Sequence, residues 1–112
     1  MINGAHVTVY SKDAEADKAF IANILKFSYI DAHQGWLIFK LPPSEMAVHP
    51  SDENDRHEFF LMTDDLDGEM SVLKKAGVVC EEPSQQSWGR LTRIKLPGGG
   101  TLGLYQPRHA RP

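Results

Sequence analysis

The 112-residue sequence carries one pattern twice, and a duplicated pattern restricts architecture more firmly than local propensity does. His6, Val7, Thr8, Val9 and Tyr10 lead through a strand-like run to Asp13, and His57, Glu58, Phe59, Phe60, Leu61 and Met62 lead in the same way to Asp64. Each Asp precedes a helical stretch, residues 14–25 and residues 66–76. Asp13 can cap the first helix and Asp64 or Asp65 the second, because a carboxylate satisfies the orphan N–H groups of a first turn. Ala16, Phe20 and Ile24 fall on one face of the first helix; Leu66, Met70 and Leu73 do so in the second, with Gly77 as its stop. The tails also match. Phe39, Lys40, Leu41 and Pro42 recur as Ile94, Lys95, Leu96 and Pro97, each ahead of a turn and a closing strand, residues 46–49 or 102–105. Further strands are expected at 28–31 and 36–41, and at 78–81 and 91–96. Each half therefore reads strand, helix, strand, strand, strand. Halves 4–50 and 57–107, a polar linker 51–56 and a tail 108–112 make up a single α+β domain.

Composition narrows the class. With 41% hydrophobic and 24% charged residues, a chain of this length buries roughly 60–70% of its unfolded surface and needs no metal or disulfide staple to fold. Twelve Lys and Arg stand against 15 Asp and Glu, a formal net charge of −3. The basic residues are scattered, so no stripe is available to hold a polyanionic backbone, and nucleic acid is not an expected partner. The longest apolar runs, 36–39 and 59–62, fall far short of the roughly 20 residues that cross a bilayer, so no membrane span is expected. Met1, Ile2, Asn3 and Gly4 do not read as a signal peptide. The single cysteine, Cys80, agrees with a reducing compartment, and a cytoplasmic protein is expected.

Taken in order and in duplicate, these elements resemble the vicinal oxygen chelate superfamily, which includes glyoxalase I, the bleomycin-resistance proteins and the extradiol dioxygenases. The residues that carry the resemblance include His6 to Tyr10, Asp13, Phe20, Leu25, Phe27, His57, Asp64, Asp65, Leu66, Ala76, Gly77, Val78, and Gly100 to Tyr105. It implies two βαβββ modules forming curved mixed sheets around a cavity, with the helices on the outer face. In metal-dependent relatives the ligands come from opening and closing strands. His6 and His57 fall at the two opening-strand positions, but the closing-strand carboxylate falls at Ala47 and Gly103. Two imidazoles alone make a weak site for a divalent ion such as Fe, Zn, Ni, Mn or Co. His49, on the same strand face as Ala47, would supply a third nitrogen. Each imidazole can equally hydrogen-bond within the sheet and hold no metal.

Strand parity then sets an expected cavity wall. His6, Thr8 and Tyr10 share a face with His57, Phe59 and Leu61, whereas Val7, Val9, Glu58, Phe60 and Met62 point towards the helices. Tyr105 stands beside Gly103. Trp36 and Trp88 precede the middle strands and can stack on planar ligands or fill the core. Thr8, Tyr10, Trp36, His49, Phe59, Trp88 and Tyr105 are thus the expected ligand-binding residues. Gly98, Gly99 and Gly100 read as a hairpin turn, since no helix start or Lys follows to bind phosphate. Cys80 has no base beside it, and no Ser, His, Asp triad can be assigned. Three functions remain open: the binding of a small apolar or aromatic molecule between sheets; a metal-dependent lyase or dioxygenase using His6 and His57, with His49 as a candidate third ligand; and a structural or partner-binding module with a closed cavity. A homodimer is expected, because two helices cannot cover roughly eight strands and exposed strand edges need closure.

Overall fold

The structure is a computed structural model that describes residues 6–45, 47 and 50–110. The elements run α1 (Ala14–Asn23), β1 (Tyr29–Asp31), β2 (Leu37–Phe39), β3 (Phe60–Met62), α2 (Leu66–Lys75), β4 (Ser84–Gln86), β5 (Gly89–Lys95) and β6 (Thr101–Pro107).

Both helices start where a side-chain acceptor meets an orphan amide. The Asp13 carboxylate accepts from the Ala16 N–H at 3.1 Å, and the Asp65 carboxylate accepts from the Gly68 N–H at 3.0 Å. Of the two candidate caps, Asp65 therefore holds α2. The Leu66 N–H donates to the Gln106 side-chain oxygen at 2.8 Å, which ties the start of α2 to β6. At the other end of α2, Lys74 and Lys75 face the negative pole of the helix dipole. There Gly77 takes a φ of 85°, and its N–H and that of Val78 return to the carbonyls of Lys74 and Leu73. This pair of bonds closes the helix with a left-handed glycine.

The second half completes the expected order. Its four strands are arranged β3-β6-β5-β4, with β3 parallel to β6 and the remaining pairs antiparallel. The segment just after α2 joins this sheet: Cys80 bridges Ile94, and the chain runs on through Pro83 into β4. β5 and β6 form a hairpin through the glycine turn, where Gly99 has a φ of 100°.

The first half is less regular. β1 and β2 pair as an antiparallel two-stranded sheet, Tyr29 opposite Phe39. Residues 6–10, expected as an opening strand, adopt no strand, and Tyr10 is 93% exposed. A strand exists only against a partner. In the second half that partner is the closing strand; in the first half Met46, Val48 and His49 of the expected closing strand lie outside the described residues.

One core serves both halves. Phe20 of α1 and Leu66, Met70 and Leu73 of α2 meet Ile94, Leu96, Leu102 and Leu104 in a single buried cluster. Full burial of each such side chain contributes about 1.5–3 kcal/mol. Asp17, also buried, accepts from the Gly98 N–H at 2.8 Å through Oδ1, while its Oδ2 has no partner among the described residues. The core occupies only the helix-facing side of the four-stranded sheet. The radius of gyration, 14.9 Å, exceeds the roughly 13 Å of a compact chain of this length.

Candidate functional site

The sheet face turned away from the helices carries the aromatic residues. Registered neighbours share a face, and Phe60 lies opposite Gly103, Met62 opposite Tyr105, Gly103 opposite Arg93 and Tyr105 opposite Leu91. Phe60, Met62, Leu91, Arg93, Gly103 and Tyr105 therefore line one surface. Trp88, at the entrance to β5, joins them; its carbonyl accepts from the Arg108 N–H at 3.0 Å, which fixes the end of the hairpin.

Three rings interlock on this surface. Phe60 and Tyr105 lie 5.6 Å apart, Trp88 and Tyr105 5.5 Å, and Phe60 and Trp88 6.5 Å, all edge to face. Such geometry sets the positive ring edge against the negative ring face. The Arg93 guanidinium carbon sits 5.4 Å from the Phe60 ring centre, a cation–π contact. At the far side the Tyr105 hydroxyl donates to a Glu45 carboxylate oxygen at 3.4 Å, and that oxygen also lies 3.3 Å from the His109 ring. Trp88 remains 45% exposed. The surface can receive a flat apolar molecule by stacking, with Arg93 and Tyr105 as polar contacts.

The sequence-expected residues distribute unevenly about this face. Trp88 and Tyr105 lie in it. Phe59 does not: it packs with Leu61 against the helix-side core, one residue out of phase with the expected parity. Thr8 and Tyr10 are exposed outside any strand, and Trp36, 66% exposed, stands at the β1–β2 hairpin. His49 lies outside the described residues. Phe60 and Arg93 join the face without a sequence signal that marks them for it. The run Phe59, Phe60, Leu61, Met62 is apolar in both phases, so alternation alone does not choose a face; the pairing of Phe60 with Gly103 chooses it.

Of the donors expected for a divalent ion, His6 and His57 lie among the described residues and His49 outside them. His6 and His57 are both exposed and in no strand, and no group of three or more His, Cys, Asp or Glu able to hold a metal occurs among the described residues. At Gly103, where the resemblance places a ligand carboxylate, a β-carbon would run into the Phe60 ring. An aromatic side chain fills the space that a ligating side chain would need. Cys80 is no activated nucleophile either: burial pushes its thiol above the ordinary range, against the opposing pull of the Lys74 ammonium.

Two other concavities sit on the helix side. One, of about 680 Å³, runs between α2 and β4 and is lined by charges of both signs, among them Asp67, Lys74, Glu82 and Arg90. The other, of about 360 Å³, lies between the C-terminal ends of the helices and Leu96. No helix among the described residues is long and apolar enough to cross a membrane.

No protein-family model matches the chain, and no curated protein matches it in sequence. Solved structures do. TnmS3, an antibiotic binding protein from Streptomyces sp. CB03234, superposes with a TM-score of 0.67 at 24% identity, covering 96% of this chain and 99% of its own. A glyoxalase/bleomycin resistance protein from the same organism gives 0.62 at 25%, with 88% and 95% covered. Lactoylglutathione lyase from Agrobacterium tumefaciens gives 0.67 at 15%, with 92% of each chain covered. With βαβββ order in its second half and this likeness along nearly its whole length, the chain has the fold of the vicinal oxygen chelate superfamily, the glyoxalase, bleomycin-resistance and dioxygenase group.

Proposed function

We propose that this protein binds a small planar, aromatic or apolar molecule on the open face of its second sheet. The observation that carries this reading is the interlocked Phe60, Trp88 and Tyr105 cluster, uncovered on the face opposite the core. TnmS3, of similar fold, is an antibiotic binding protein, which is in keeping with such a role. Titration of Trp fluorescence with a panel of planar aromatics tests the reading. Saturable quenching that persists in Trp36→Phe and disappears in Trp88→Phe is expected. A silent panel, or quenching that needs Trp36, would overturn it. The metal-dependent alternative would be restored by near-stoichiometric uptake of Fe(II), Zn, Mn, Ni or Co that is lost in His6→Ala.

The same reading includes a homodimer. An isolated two-stranded sheet is marginal in water, and β1–β2 leaves Tyr29, Ile30 and Trp36 exposed, as Val7 and Val9 also are. A symmetric second copy would cover these residues and wall the ligand face. Sedimentation of a stable 12.5 kDa monomer at micromolar concentration, with ligand binding intact, would refute the dimer.

A further inference from the structure

We propose that the ligand of this face is an aromatic anion, a flat ring system bearing a carboxylate or comparable acidic group that Arg93 receives. The inference rests on the aromatic-face reading and adds the charge of the molecule bound. Arg93 stands in one register row with Gly103 and Phe60, so its side chain leaves the sheet on the side of the rings. The residue is half-buried, and its guanidinium is seated over Phe60.

The other arginine of the same strand is already engaged, as is Arg56 of the exposed linker. Arg90, on the opposite face of the same strand, holds both Asp67 oxygens at 3.2 Å, and Arg56 holds Glu58 at 2.9 Å. Arg93 has no ion pair among the described residues. Glu81 lies beside Arg93 in the ladder, its N–H donating to the Arg93 carbonyl at 2.9 Å, and its carboxylate forms no ion pair with the guanidinium among the described residues. The acid at the other end of the face, Glu45, is occupied by Tyr105 and His109.

A cation partly withdrawn from water with no counter-charge among the described residues favours an anionic guest. Arginine suits the task because its planar fork stacks on an aromatic face and retains N–H donors for a carboxylate. A ring laid against Trp88 and Tyr105 with its acidic group towards Arg93 would use both kinds of contact.

The test compares naphthalene carboxylate with its neutral carboxamide, by titration of the Trp36→Phe protein in which Trp88 is the one tryptophan. The carboxylate is expected to bind about tenfold tighter, the ratio that one added charge-assisted contact supports. In Arg93→Gln the ratio of acid to amide affinity should fall to about one, and Arg93→Lys should retain part of the preference. Equal binding of acid and amide by the protein with Arg93 intact would overturn the proposal while leaving the aromatic face standing, and this comparison does not depend on the Arg93 variants folding. A preference that survives in folded Arg93→Gln would overturn it as well. If neither probe quenches Trp88, the aromatic-face reading fails, and the charge assignment fails with it.

Discussion

Substituting Gly103 by alanine is the sharpest test of the site geometry, because the added carbon meets the Phe60 ring first. The three atoms nearest to a β-carbon at that position all belong to the Phe60 ring, and no backbone atom is among them. Adding a carbon to a filled space costs about 1–3 kcal/mol, whereas replacing glycine by alanine where the backbone permits it returns about 0.4–1 kcal/mol through the unfolded chain. Gly103→Ala is therefore expected to destabilise the protein by about 1–2 kcal/mol. An unfolding entropy of about 2.1 cal/mol/K per residue makes that a fall in Tm of about 4–8 °C. The displaced ring would also leave Tyr105 and Arg93, so Trp88 quenching by aromatic ligands should weaken in parallel. In a Phe60→Ala background the collision is gone, and the same Gly103→Ala change should be neutral or stabilising by a few tenths of a kcal/mol. Thermal and urea unfolding of the wild type, both single variants and the double variant measure the coupling directly. An equal Gly103→Ala penalty in both backgrounds would show that the ring does not occupy this space, and the face as described would be wrong.

Two further outcomes follow from the helix ends and the thiol. Asp65→Ala removes the acceptor of the Gly68 N–H and should cost about 1 kcal/mol, or about 4 °C in Tm, with Asp65→Ser retaining most of the stability; an unchanged melting curve would contradict the cap. Cys80, raised by burial, should react with a thiol reagent more slowly than a free thiol at pH 8 and accelerate only as pH climbs past the ordinary thiol range. Lys74→Gln, which removes the charge that favours the thiolate, should slow it further, and a faster variant would reverse the assigned cause.

The repeat makes the second half legible almost element by element, because capping residues, stop glycine and turn each leave a local chemical mark. Asp65, Gly77 and the Gly98 to Gly100 turn perform the jobs their types suggest. β4 is invisible in the sequence because Ser84, Gln85 and Gln86 have no apolar alternation; the strand exists through its ladder with β5, a non-local cause. The position of Phe59 is ambiguous for a related reason. A run apolar in both phases packs either way, and the choice is made by the neighbouring strand, where Phe60 covers the small Gly103. Arg93 leaves no mark because a lone arginine in a strand has no motif; what distinguishes it is that, among the described residues, it lacks an ion pair such as Arg90 makes. Residues 6–10 have strand composition but adopt no strand.

The bond between Asp17 and the Gly98 amide links residues 81 positions apart, and that separation sets an order of events as the chain folds. Closing a loop of this length costs about 4 kcal/mol of chain entropy by the logarithmic law, before any constant. The β5–β6 hairpin and its packing on α2 close far shorter loops and are free to form early. Docking of α1, with Phe20 entering a core already assembled from the second half, would then come last and open first. In the native protein this makes α1 the natural unit of partial unfolding. The Gly98 amide is its reporter: hydrogen exchange there should run ahead of global unfolding, while the ladder amides of β5 and β6 hold their protons until the whole molecule opens.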